Sequence, residues 1–146
     1  MREYLFRGKT INDEWVIGLL SEYKDNFLKV SKGFYISNSR GNPWAYQVMP
    51  KTIGQYTGLI DKKGTMIFEG DILNGFEYPF LKDGVHNYLA EIKWFDDTAA
   101  FGICIHKNRL SNVQGDVDDK CYNIENFNCE NWEVIGNIFD DLELIM

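Results

Sequence analysis

A mainly β protein of short, strongly bent antiparallel strands is what this 146-residue chain predicts, and three observations predict it. Apolar runs are short and cut by turn residues, β-branched and aromatic side chains fill those runs, and no long stretch repeats with the helical period. With 45% hydrophobic and 15% aromatic residues, the chain can build a core without staples, so one domain over residues 1–146 is expected.

The elements follow in order. Tyr4–Arg7 and Trp15–Tyr23 form a hairpin, with Asn12-Asp13 as its turn signal and Arg2 and Arg7 near its edge. Phe27–Val30, Phe34–Ser37 and Ala45–Met49 read as three further strands, with residues 38–43 as a surface loop. Pro50 can open a single helical turn over Pro50-Lys51-Thr52-Ile53. Gln55–Ile60 should pair with Thr65–Phe68, because Asp61 enters the intervening turn and Gly64 supplies a positive φ. Asp71–Asn74 follows as another strand. In Leu89–Phe95 the residues Ala90, Ile92 and Trp94 share one face while Glu91 and Lys93 point away. Asp96-Asp97-Thr98 then turns the chain into Ala100–His106, where Phe101, Ile103 and Ile105 line one face. Residues 107–131 are poor in apolar side chains and read as a long irregular excursion. Trp132–Phe139 is the last strand, and Asp140–Leu144 can form a second helical turn. Gly18, Gly102 and Gly136 interrupt strand patterns, which marks bulges, bends or the close approach of another backbone.

Charge narrows the function classes. Fifteen Lys and Arg against 22 Asp and Glu give a net charge of −7, the wrong sign for a general phosphate-backbone binder, so nucleic acid is not the expected partner. Residues 1–73 carry ten basic and eight acidic side chains, whereas 74–146 carry five and fourteen. Such polarity can steer a basic partner. The longest apolar stretches, Trp15–Leu20 and Ala99–Ile105, are too short to span a bilayer, and charges interrupt the N-terminal segment before a signal-peptide core could form. No membrane partner is expected, and the expected location is the cytoplasm. Cys104, Cys121 and Cys129 are sparse and odd in number with no C-x-x-C pair, so no disulfide framework is implied and a reducing compartment fits.

No constellation of side chains compels a catalytic reading. Glu69-Gly70-Asp71 would place two carboxylates on one side of an extended backbone, which suits acid–base work or a divalent ion, but Gly70 points to a turn. Asp116, Asp118 and Asp119 lack the EF-hand pattern, because Lys120 and Cys121 stand where an oxygen ligand and a glycine belong. Cys104, His106, Cys121 and Cys129 could supply one zinc ion, yet their spacing matches no usual zinc motif, and His86 is isolated. No phosphate-binding glycine loop, nucleophile elbow or H-E-x-x-H pattern occurs. No catalytic residue, metal or cofactor is therefore assigned. Trp15, Tyr35, Trp44, Tyr46 and Tyr56, with Lys24, Lys29, Lys32, Arg40 and Lys51, could make a stacking platform for single-stranded nucleic acid. Aromatics on strands more often fill a core.

One stretch is more specific. Gly54-Gln55-Tyr56-Thr57-Gly58-Leu59, then Asp61-Lys62, Gly64, Ile67 and Glu69-Gly70-Asp71-Ile72 resemble the signature of the YopX family of phage and prophage proteins. Arg2-Glu3-Tyr4-Leu5-Phe6-Arg7, Ile92-Lys93-Trp94 with Ala100-Phe101-Gly102, and Glu133-Val134-Ile135-Gly136-Asn137-Ile138-Phe139 resemble its opening, central hairpin and closing segments. Asp141-Leu142 departs from the Asn-Pro common in the family's tail, and residues 74–88 and 107–131 match no family pattern. The resemblance implies a β-rich fold with mixed sandwich and barrel features, a phage or prophage origin and action in the bacterial cytoplasm. It implies no activity and no cofactor. Within the shared motif, Gln55, Tyr56, Glu69 and Asp71 are the polar remainder once turn and core residues are set aside, and form the candidate binding surface. The expected role is a non-enzymatic protein-binding or accessory module for a host or phage protein, able to self-associate through a strand edge. The alternatives are a nucleic-acid-associated protein and a metal-dependent hydrolase.

Overall fold

The computed structural model describes residues 3–38, 44–75, 88–108, 121–124 and 129–146. Among these residues the chain forms β1 (Phe6–Lys9), β2 (Trp15–Tyr23), β3 (Gly33–Ser37), β4 (Ala45–Val48), β5 (Gly54–Ile60), β6 (Met66–Phe68), β7 (Asp71–Gly75), β8 (Tyr88–Phe95), β9 (Ala100–Asn108), β10 (Cys121–Asn123) and β11 (Trp132–Asn137). Short 3-10 turns occur at Pro50–Thr52, Cys129–Asn131 and Leu142–Leu144. The first and last match the two expected helical turns. The strands build two antiparallel sheets, with orders β4-β3-β2-β1-β5-β6 and β10-β9-β8-β7-β11. No closed barrel forms among the described residues, and no helix there is long and apolar enough to cross a membrane.

The chain divides into two compact units, Met1–Tyr56 and Thr57–Met146. In the first unit, alternation along β2 buries Val16 beside Ile36 and Val48, and Phe6, Leu20, Phe34, Tyr46 and Ile53 pack against them. The β1–β2 hairpin turns through Thr10, whose hydroxyl accepts the amides of Asn12 and Glu14 at 3.3 and 3.4 Å, while Asp13 takes a φ of 61°. Strand β1 lies between β2 and β5, so Arg7 is on an interior strand and not near a sheet edge as expected. At Gly18 a side chain would collide with the Ser37 carbonyl oxygen, which is the close backbone approach that an in-strand glycine signals.

The expected strand Phe27–Val30 does not form. Phe27 and Val30 instead exchange two backbone hydrogen bonds of 2.9 Å across a tight turn, and Leu28 adopts a φ of 54°. The run has strand composition, but without a neighbouring strand to receive it the hairpin partners become β2 and β3, with Leu19 opposite Ser37 and Tyr23 opposite Gly33.

The second unit's core unites Ile67, Leu73, Tyr88, Ala90, Ile92, Phe101, Ile103, Ile105 and Trp132. Its central hairpin has the expected faces. Trp94 is the exception, 40% exposed, where it packs edge-on against Phe101 and donates its indole N–H to Asp96. The register shifts between Val134 and Gly136, a bulge at the glycine flagged by the sequence. Strand β10 lies inside the stretch read as irregular, and it pairs with β9. The expected loop at 38–43 and the stretch 74–88 that matches no family pattern fall largely outside the described residues, as do Arg2, Arg40, His86 and the Asp116, Asp118, Asp119 group.

Candidate functional site

The β2–β3 hairpin presents the most conspicuous surface. Because residues alternate across a strand, Trp15, Ile17, Leu19, Ser21 and Tyr23 face away from the core that holds Val16 and Leu20. Ile17, Leu19 and Tyr23 are exposed large apolar groups, with Leu19 at 50%. Directly opposite residues of an antiparallel pair share a face, so Arg7 and Lys9 of β1 join this one beside Ile17 and Trp15. The Arg7 guanidinium sits 4.9 Å from the Trp15 ring centroid and the Lys9 ammonium 5.6 Å away. Tyr23 meets Tyr35 edge to face at 5.4 Å, and the Tyr35 hydroxyl donates to the Ser31 carbonyl.

The hairpin then ends in an apolar tip. Phe27 is 65% exposed and Leu28 90% exposed. Lys24, Lys29 and Lys32 are exposed around them, and the Lys32 amide donates to the Asn26 side chain at 2.8 Å, which closes the loop behind the tip.

The four residues proposed from the sequence lie as follows. Gln55 and Tyr56 are consecutive on β5 and therefore on opposite faces. Gln55 is half-buried opposite Phe6, and Tyr56 is buried, its amide donating to the Leu5 carbonyl at 2.8 Å. Glu69 and Asp71 flank Gly70, whose φ of 89° breaks the extended geometry that would have put both carboxylates on one side. Asp71 is buried and accepts the Phe68 amide at 2.7 Å, while Glu69 is half-buried. The Gly70 amide donates to the Ile92 carbonyl and its own carbonyl accepts from Ile138, so the Glu-Gly-Asp turn is anchored to β8 and to the chain beyond β11.

Three other groups stand outside that set, and the sequence considered His106, Cys104 and Cys121 among them only as zinc ligands. Asp61 was read as a turn residue, but it is also buried and accepts the amides of Lys63 and Thr65 at 2.8 Å and that of Val134 at 2.9 Å. Burial pushes its carboxyl up, and the backbone donors Val134, Thr65 and Lys63 together outweigh this and hold it below the usual carboxylate range. Lys62 and Lys63 pair with Glu133 on the surface of the same turn. Second, the buried Glu91 carboxylate accepts contacts from His106 Nε2 at 2.9 Å and Lys93 Nζ at 3.5 Å. Third, Cys104 and Cys121 are joined in a disulfide, a single bridge where the sequence implied no disulfide framework. The pairing is a product of register, since Cys121 stands opposite Cys104 across β9 and β10.

These placements bear on the metal and stacking readings. The bridge occupies the sulfurs of Cys104 and Cys121, His106 turns to Glu91, and no group of three or more His, Cys, Asp or Glu among the described residues is placed to hold a metal ion. Of the aromatic set, Trp15, Tyr35 and Trp44 lie outside the core, Tyr46 packs against it and Tyr56 is buried.

A solved structure with a similar fold is the crystal structure of protein EF1440 from Enterococcus faecalis, at a TM-score of 0.50 and 21% identity over 100% of both chains. No curated protein matches. The family model described as YopX protein matches residues 5–146, through both units and the whole Gly54–Ile72 signature. The chain belongs to the YopX family.

Proposed function

We propose that this protein is a non-enzymatic binding module, phage- or prophage-encoded and acting in the bacterial cytoplasm, which docks a protein partner on the outer face and tip of its β2–β3 hairpin. The observation that carries the proposal is Leu28, 90% exposed with a φ of 54°. A left-handed backbone costs a non-glycine residue about 1–2 kcal/mol, and glycine would serve the turn at no such cost. Strain of this kind, joined to apolar exposure, opposes stability in the isolated chain and fits a surface kept for a partner. Phe27, Tyr23 and Leu19 extend the apolar strip, and the lysines around the tip fit a partner whose apolar pocket is rimmed by carboxylates. The provenance and compartment rest on the family resemblance. A protein is favoured over single-stranded nucleic acid because the Trp15 ring is already covered by Arg7 and the Tyr56 ring is buried.

Leu28→Gly tests this reading. The variant loses both strain and side chain, so its melting temperature should hold or rise while capture of a stoichiometric partner from host lysate is lost. Capture indifferent to Leu28→Gly and Phe27→Ser, or no stoichiometric partner at all, overturns the reading. So does a gel shift of single-stranded DNA at low salt.

A further inference from the structure

We propose that Cys104 and Cys121 form a reversible thiol–disulfide exchange site, at which a small-molecule thiol of the glutathione class attacks Cys121 and thereby frees the edge strand β10 from β9. The two sulfurs are unlike. Cys104 is buried on β9 between β8 and β10, whereas Cys121 is exposed at the start of β10. An incoming thiolate can reach only the exposed sulfur, so Cys121 takes the attack and Cys104 departs.

The step balances. The small thiolate bonds to the Cys121 sulfur as the Cys104–Cys121 bond breaks, and its electron pair leaves on Cys104. A second small thiolate attacks the small-molecule sulfur of the mixed disulfide and releases Cys121 as thiolate. Both protein thiolates take protons from water, and two small thiols have become one disulfide. The reverse sequence, driven by the oxidised small disulfide, closes the bridge.

The position of the bond favours a switch over a staple. Among the described residues strand β10 is three residues long and ends its sheet, with β9 as its neighbour, so the bridge holds it together with three residue pairs and the packing of Ile124 against the core. Deeper pairings do not depend on it, because β8 and β9 are registered from Tyr88 opposite Asn108 to Phe95 opposite Ala100. Opening the bridge therefore leaves the core hairpin in place and uncovers the β9 edge over Gly102, Ile103 and Cys104, where a row of backbone donors and acceptors can receive another strand. In the bacterial cytoplasm proposed above, on which this step of the argument rests, a disulfide is usually transient and sensing. The inference is independent of the hairpin tip, and thiol labelling reads it without any partner.

Full-length protein is equilibrated in buffers of reduced and oxidised glutathione, quenched with an alkylating agent and analysed by mass spectrometry and amide exchange. The bridge should open within the range of these buffers, with an intermediate carrying one glutathione on Cys121. Amides of Cys121–Asn123 should exchange at least tenfold faster once it is open, while those of β8 are unchanged. Cys121→Ser, altered at an exposed position, should show the fast exchange in every buffer. A bridge that never forms, one that survives a large excess of reduced glutathione, or β10 exchange that ignores the state of the bridge overturns the proposal.

Discussion

Asp61 does at residue scale what no local pattern announces in full. Its entry into the Asp61–Gly64 turn is legible from sequence, because Asp followed by Gly three residues later is turn chemistry, and the Lys63 and Thr65 amides are local partners. The Val134 amide comes from 73 residues away, so the same carboxylate also ties the turn to β11. Asp61→Ala should cost about 2–3 kcal/mol, because buried amides lose their acceptor, and urea denaturation measures it. The pH dependence follows from the lowered pKa. A depressed carboxylate contributes stability that is full above the unfolded value, about 3.9, and lost as pH falls towards the folded one. The gap in urea midpoint between wild type and Asp61→Asn should therefore be widest near neutrality and close as the pH drops below about 4. Leu28 is the contrary case. Its apolar run reads as strand, and only its missing strand partner makes it a turn with a side chain in water.

At the scale of elements, period-two alternation and turn residues located β2 through β9 and β11 closely, since each strand with one buried face must repeat every second residue. Two elements escaped that logic. Phe27–Val30 has strand composition without a pairing partner, and Cys121–Asn123 is a strand only because β9 offers an edge to it. Glycine meaning was partly legible. Gly18 lies against the Ser37 carbonyl, so Gly18→Ala should cost about 1–3 kcal/mol and speed amide exchange in β2 and β3, read by chemical denaturation and exchange mass spectrometry. Among the candidate site residues, the sequence singled out the turn at Glu69-Gly70-Asp71, but the positive φ of Gly70 separates the two carboxylates into a buried anchor and a half-buried neighbour.

For the whole molecule, the charge asymmetry falls on the two units. Met1–Tyr56 holds eight Lys and Arg against five Asp and Glu, a net of +3, and Thr57–Met146 holds seven against seventeen, a net of −10. The proposed docking hairpin belongs to the basic unit. Partner capture should therefore weaken as sodium chloride rises from about 50 to about 500 mM, because the Debye length shrinks from over 10 Å to under 5 Å. Capture that is unmoved by salt would leave the apolar tip as the whole attraction, and titration with pulled-down partner quantified by mass spectrometry separates the two.

What the sequence alone determined was the β class, the Asp61–Gly64 turn that joins β5 to β6 and the family, since all three are written in short-range pattern: alternation, Asp-to-Gly spacing and the Gly54–Ile72 signature. Tertiary structure alone decided that Cys104 meets Cys121, that Glu91 holds His106, that Asp61 reaches Val134 and that Leu28 stands in solvent. Each of these depends on which strand lies beside which, and strand neighbours are chosen by the packing of a whole sheet rather than by the residues that happen to be adjacent in the chain.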